Sequence, residues 1–202
     1  MNAILRLGFC LLLAALAGCS SYDRRLTSSS TRYLTSGGEV VNKPSSVGIT
    51  DTVSYWDGDG VSGSPSITID LGEQKAFFYK DGRLVGVSMI SSGREGYSTP
   101  AGNFKIIQKN KDHVSNLYGD YVDSGGNVVV SNVGVKRDPK PPGTSFRGAP
   151  MPYFMRIHGG VGMHAGFLPG FPASHGCIRM PERMAEIFFA NVSHGTPVRV
   201  VN

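Results

Sequence analysis

Cys177 stands in the hexapeptide Ser174-His175-Gly176-Cys177-Ile178-Arg179, and 13 residues before it lies His164, in Gly162-Met163-His164-Ala165-Gly166. A thiol acyl-transfer enzyme needs a cysteine that can become thiolate and an imidazole to take its proton. It needs backbone N–H groups turned toward an oxyanion, and a glycine permits the tight turn that aims them. A fixed positive charge serves an anionic substrate. Cys177, His164, Gly176 and Arg179 supply one of each within 16 residues. His175 suits structure better than base work, bonding a backbone carbonyl and fixing the turn. His158, 19 residues upstream of Cys177, competes with His164 for the role of base. Two other readings of these residues stand beside this one. Cys177 alone could be an inert buried thiol. His158, His164, His175 and Cys177 could form a zinc set, but their spacings match no familiar pattern and a zinc-bound thiolate is a poorer nucleophile. The expectation is therefore no metal and no cofactor.

Cysteine usage sharpens the first reading. The chain has three cysteines, Cys10, Cys19 and Cys177. Cys10 falls in an apolar run, Leu7 to Leu16, behind Arg6. That run is too short to span a bilayer and has the layout of a secretory signal. It ends in Leu16-Ala17-Gly18-Cys19, where small residues fit a peptidase pocket and a sulfur for acylation follows at once. The stretch resembles the bacterial lipoprotein box, which implies that Cys19 is the lipidated first residue of the mature chain. The alternative is a plain export signal with an incidental cysteine. Several acyl chains, at ~0.8 kcal/mol per buried CH₂, would make a stable anchor. Ser20 is not Asp, and by resemblance to the enterobacterial sorting rule this favours the outer membrane over the inner one. With Cys10 removed and Cys19 lipidated, Cys177 has no disulfide partner in an oxidising compartment, which marks it as a reactive thiol or an accident.

The elements that must position these residues read as β. Residues 19–65 are rich in Ser, Thr, Gly and Arg and look like a flexible tether, with a short strand around Glu39-Val40-Val41 as the alternative. Ile67, Ile69 and Leu71 then alternate with polar residues, a period of two. Ala76–Tyr79, Leu84–Ile90, Asn103–Ile107, Asn127–Val130, Tyr153–Ile157, Val161–His164 and Thr196–Val201 read as further strands. Asp81-Gly82 is a tight-turn pair. One helix opens at Pro181-Glu182, with Met184, Ile187 and Phe188 at helical spacing. The stretch from Lys109 to Pro152, rich in Gly, Pro, Asp and Asn, reads as a long loop of the kind that serves as a lid or flap. The expected fold is mainly β, a sandwich or barrel with one or two short helices and that flap. Tyr118, Tyr121 and Tyr153 are read as packing residues in or beside the flap, and His113 and His194 as surface residues.

Composition excludes other classes. The chain has 202 residues, 40% of them hydrophobic, enough for one core and too many for wholesale disorder. Glycines number 27 and prolines 12, while charged residues are 17%, which argues against a helical bundle. After the N-terminus no run of about 20 apolar residues occurs, so a polytopic helical membrane protein is excluded. The formal charge of +5 is spread without a long basic run. A nucleic-acid partner would call for clustering; the mild basic balance suits an anionic wall or membrane surface instead.

Ser174-His175-Gly176-Cys177-Ile178-Arg179 resembles the signature of the L,D-transpeptidase catalytic domain of the YkuD/ErfK type, enzymes that cross-link bacterial cell walls. Thr99-Pro100-Ala101-Gly102-Asn103-Phe104 resembles the family's TPxGxF segment. Ile67 to Tyr79 resembles its first hairpin and Gly195-Thr196-Pro197-Val198 its closing strand. The resemblance divides the chain into a signal over 1–18, a tether over 19–65 and a catalytic domain over 66–202. It implies that Cys177 is the nucleophile and His164 the general base, with the Ala165 carbonyl orienting the ring. Ser174, His175, Gly176 and Arg179 then shape the site, backbone N–H groups around His175 to Cys177 form an oxyanion hole, and Arg179 holds a substrate carboxylate or braces the loop. The implied partners are peptidoglycan stem peptides, the membrane through Cys19, and a protein acceptor in one variant of the reaction. Ala165 departs from the Gly or Ser usual after the upstream histidine, and the 13-residue interval is shorter than in many members. The rival functions are an L,D-carboxypeptidase using the same thiol, a thiol protease, and a non-catalytic wall-binding lipoprotein; retention of both Cys177 and His164 argues against the last.

Overall fold

The computed structural model of the protein describes residues 51–202. The signal over 1–18, Cys19 and the alternative strand at 39–41 lie outside the described residues. Eleven strands and one helix follow in order: β1 (Tyr55–Trp56), β2 (Pro65–Asp70), β3 (Lys75–Lys80), β4 (Arg83–Met89), β5 (Gly102–Lys105), β6 (Gln108–Val122), β7 (Val128–Gly134), β8 (Ser145–His158), β9 (Val161–Ala165), β10 (Ile178–Met180), α1 (Glu182–Asn191) and β11 (Pro197–Val201). They form a six-stranded sheet in the order β1-β4-β3-β2-β11-β5 and a five-stranded sheet in the order β10-β9-β8-β6-β7.

The period-two segments build the first sheet. Ile67 and Ile69 of β2 and Ala76 and Phe78 of β3 are buried, while the residues between them are not. The β3–β4 hairpin turns at Asp81-Gly82, both with positive φ (46° and 78°), the backbone that a two-residue I′ loop requires. The C-terminal strand β11 lies parallel to β2, with Val198 beside Ile67 and Val200 beside Ile69. Met184, Ala185 and Phe188 are the buried residues of α1. The helix packs against β8 and β9 of the second sheet, and its Phe188 ring reaches Phe78 of β3 at 5.0 Å in an edge-on arrangement, so the core joins both sheets.

Residues 55–56, within the stretch read as a tether, form β1, which pairs with β4, and Trp56 packs edge-on against Phe78 at 5.1 Å. A two-residue strand has no periodicity to read, so it merges with the Ser/Gly-rich stretch around it. The segment read as a flap loop is mostly strand: β6, β7 and the first half of β8. Gln108 to His113 are all polar or charged, so no alternation betrays a strand. Pro150 and Pro152 fall where β8 has β6 on one side only, since its pairing with β9 begins at Met155; proline is tolerated on such an edge.

One irregularity in this sheet shapes the site. Val114 pairs with Pro150 and Gly119 with Gly148, so four residues of β6, Ser115 to Tyr118, stand opposite one of β8. This is a large bulge. A Cβ on Gly119 would meet the Arg147 carbonyl oxygen at 2.1 Å, and one on Gly148 the Ser115 oxygen at 2.0 Å. Only glycine permits so close a crossing. Ser115 Oγ accepts the N–H groups of Leu117 and Tyr118 at 3.2 and 3.0 Å and fixes the excursion.

Candidate active site

β9 and β10 run parallel, with Met163 beside Ile178 and His164 beside Arg179. Strand alternation sends Met163, Ile178 and Met180 into the core, all at 0% exposure. His164 and Arg179 therefore share the opposite face. Cys177, one residue before β10, falls on that face as well. It lies two positions from Arg179, which places its Cα on the order of 8 Å from that of His164 by strand spacing and rise.

The turn that delivers Cys177 is braced by hydroxyls. Ser174, buried, donates its hydroxyl to the Cys177 carbonyl at 2.5 Å and accepts the Gly176 N–H at 3.0 Å. Thr99, also buried, donates to the Gly176 carbonyl and accepts the Gly93 N–H, both at 2.9 Å. Gly176 has φ +106°, a conformation that favours glycine. The Gly176 N–H is thus taken by Ser174. Among the described residues no acceptor binds the N–H of His175 or of Cys177, so these two remain available to an oxyanion.

His164 is buried, and its Nδ1–H donates to the Ala165 carbonyl at 2.8 Å. The lone pair is then on Nε2. Burial pulls its pKa down to about 4, with Arg179 and His113 nearby acting in the same direction and the Ala165 bond against it. Cys177 is half-buried, and its thiol donates to the Gly160 carbonyl at 3.5 Å. Burial raises its pKa above the ordinary thiol value; the Gly162 N–H and the charges of Arg156 and Arg179 counter this without overcoming it. At neutral pH the thiol and the His164 imidazole are both uncharged. The two groups therefore do not form a standing ion pair.

The thiol opens into a cavity of about 170 Å³ lined by the Ser115–Tyr118 bulge, His113, Met151, Arg156, Gly160, Val161 and His175. His175 accepts a hydrogen bond at Nε2 from Arg94 Nη2 at 2.8 Å, and its ring stacks on Tyr118 with centroids 4.3 Å apart. Burial lowers its pKa to about 4, helped by Arg94, Arg179 and Arg137. Arg179 packs its stem against Gly166 and has no carboxylate partner among the described residues. Burial lowers its pKa while the Cys177 sulfur acts to raise it.

The structure thus brings together Cys177, His164, Ser174, His175, Gly176 and Arg179. His158 is exposed, lies against Phe104 at 5.4 Å between ring centroids and does not line the cavity. His113, read as a surface residue, is instead half-buried in the cavity wall and stacked on Phe154 at 4.2 Å. Tyr121 and Tyr153 are packing residues bonded to the Asp138 carbonyl and the Glu186 carboxylate; Tyr118 faces the site. Sequence reading missed Arg94, Tyr97, Arg137 and Arg156. The only signal for the first two was their place in the Gly-rich turn before Thr99. Among the described residues no group of three His, Cys, Asp or Glu side chains could hold a metal ion.

A mainly β domain with a cysteine turn over a buried histidine defines a class that comparison makes specific. The L,D-transpeptidase catalytic domain profile of the YkuD type matches residues 64–200, and the chain belongs to that family. Among solved structures it is similar to a cysteine-to-serine mutant of the L,D-transpeptidase from Enterococcus faecium, with 28% identity, TM-score 0.50, and 69% of this chain and 50% of that one covered. The L,D-transpeptidase from Mycobacterium smegmatis is similar in fold at 20% identity and TM-score 0.53, covering 69% and 59%. That from Xylanimonas cellulosilytica is similar in fold at 23% and TM-score 0.51, covering 69% and 61%. The chain therefore spans half to three-fifths of these proteins' own lengths. No curated protein matches it.

Proposed function

We propose that this protein is a peptidoglycan L,D-transpeptidase working through a Cys177 thioester. His164 Nε2 takes the thiol proton as Sγ attacks the carbonyl carbon of the third residue, a diamino acid, of a tetrapeptide stem. The oxyanion faces the N–H groups of His175 and Cys177. The imidazolium then gives its proton to the nitrogen of the departing D-Ala, and the C–N bond breaks. An acceptor amine attacks the thioester, loses a proton to His164 and restores the thiol. Arg179, a half-buried cation with no carboxylate partner among the described residues, suits a stem carboxylate. If the amine is another stem's side chain, a 3→3 cross-link results; if it is a protein lysine, that protein is tied to the wall. Water in its place makes the enzyme an L,D-carboxypeptidase. Amine transfer is preferred because family members mostly do that. The resemblance at residues 1–19 adds export to the periplasm and a lipid anchor at Cys19, with the outer membrane favoured. No nucleic acid enters this reading.

The observation that carries the reading is the half-buried thiol opening on the cavity, on the same sheet face as a buried imidazole whose Nδ1–H is held by Ala165. Incubation with a tetrapeptide or carbapenem probe is expected to add one acyl mass to the wild type and none to Cys177→Ser; an adduct on Cys177→Ser rejects the nucleophile. Mass spectrometry of wall fragments from cells with and without the protein identifies the acceptor. Detergent-phase partition is expected for the wild type and lost in Cys19→Ala; retention there rejects the anchor.

A further inference from the structure

Two imidazoles flank Cys177, and they are wired in opposite senses. His164 donates from Nδ1 and keeps its lone pair on Nε2. His175 receives Arg94 on Nε2. A guanidinium carries donors only, so the His175 proton is on Nδ1. The ring is held on several sides: face-on by Tyr118 of the β6 bulge, interplanar angle 16°, and edge-on by Tyr97 at 4.7 Å. Arg94 lies 4.5 Å over the Tyr97 ring, and Arg137 from the β7–β8 connection bonds the Tyr97 hydroxyl. The charged groups around His175 are Arg94, Arg137, Arg179 and Asp138, so cations outnumber the acid. The Nδ1 has no partner among the described residues, and no buried side-chain nitrogen is left unpaired there, so this N–H is accessible in the cavity that His175 lines.

We propose that Arg94 is a positioning residue that locks His175 as an Nδ1–H hydrogen-bond donor to a substrate oxygen, leaving His164 as the imidazole with a lone pair for the Cys177 thiol. The donor role rests on the transpeptidase reading; the lock does not. Without Arg94 the ring can take a second proton at Nε2 or exchange tautomers. It then competes for the thiol proton or places a cation beside the sulfur.

The test is nitrogen NMR of the full chain in detergent, labelled with ¹⁵N-histidine. In the wild type His175 is expected to show a protonated Nδ1 and an unprotonated Nε2 from pH 8 down to 5. In Arg94→Ala its titration midpoint moves up from about 4 toward the ordinary ~6.5. Arg94→Lys, which still offers an N–H to Nε2, restores most of the wild-type pattern. With a tetrapeptide donor, Arg94→Ala raises KM about fivefold, the value of one neutral hydrogen bond. A wild-type His175 that titrates at the ordinary value, or bears its proton on Nε2, overturns the lock; this spectrum decides even if Arg94→Ala fails to fold. An Arg94→Ala spectrum matching the wild type overturns it too. A shifted spectrum with unchanged KM overturns the donor role. A wild type that keeps the expected nitrogen pattern but takes up no acyl group sinks the transpeptidase reading and leaves the lock standing.

Discussion

β9 and β10 carry His164 and Arg179 on strands whose alternate residues, Met163, Ile178 and Met180, are fully buried. The β6 bulge across the cavity instead holds Ser115 to Tyr118 by two glycine crossings and one serine hydroxyl. Its continuation pairs with β7, where Val128, Val129 and Val130 are 49%, 51% and 40% exposed. The floor of the site is thus part of the hydrophobic core, and the wall is an extension laid against it. Atoms that exchange protons and bonds need fixed positions, which close packing supplies. Apart from Tyr118, which stacks on His175, the wall shapes the opening and can vary without unmaking the core. Substitutions should divide along this line.

The largest effect belongs to the floor. His164→Asn keeps a donor for the Ala165 carbonyl but removes the base. Acylation of Cys177 is expected to slow by about 10²- to 10⁴-fold, the range of general-base contributions. Mass-resolved acylation kinetics measure this. A loss below tenfold would hand the base role to another group and erase the distinction between floor and wall.

Acid sharpens the same distinction. The folded-state pKa of His164, about 4, lies below the ordinary 6.5 of an unfolded chain. Between those values the unfolded state binds more protons, so stability is full above pH 6.5 and falls as pH drops toward 4. The shift corresponds to about 3 kcal/mol. Urea midpoints at pH 7 and pH 4.5 should show this fall in the wild type and a smaller one in His164→Asn. Equal falls in both would place the acid sensitivity outside the floor.

The line between legible and illegible parts of the sequence follows the same contrast. Ile67, Ile69 and Phe78 have one buried face, so their period of two appears in the residues themselves. The turn around Cys177 was legible because its chemistry is local: Gly176 supplies the positive φ and Ser174 the hydroxyl three residues from the carbonyl it binds. The β6 and β8 strands were not, because Gln108 to His113 alternate nothing and their glycines and prolines read as loop. Arg94 and Arg137 were illegible for another reason. Arg94 meets His175, 81 residues away, only after the β4–β5 connection folds under the cysteine turn. Arg137 reaches Tyr97 from 40 residues on. Spacing in the chain carries no trace of either.

The smallest expected effect lies at the far end of the wall. Val129 sits on β7, the edge of its sheet, with half its surface in solvent. Val129→Thr keeps the β-branch that suits a strand and places its hydroxyl where water can reach it. The change in stability should stay below about 0.5 kcal/mol, as for surface sites without special contacts. Acylation of Cys177 should be unchanged, because β7 touches β6 and not the cavity. Chemical denaturation and the same acylation assay check both. A loss of several kcal/mol, or a slower enzyme with intact stability, would mean that this edge is coupled to the cysteine turn through the β6 bulge. The wall would then be part of the machine and not a surface laid against it.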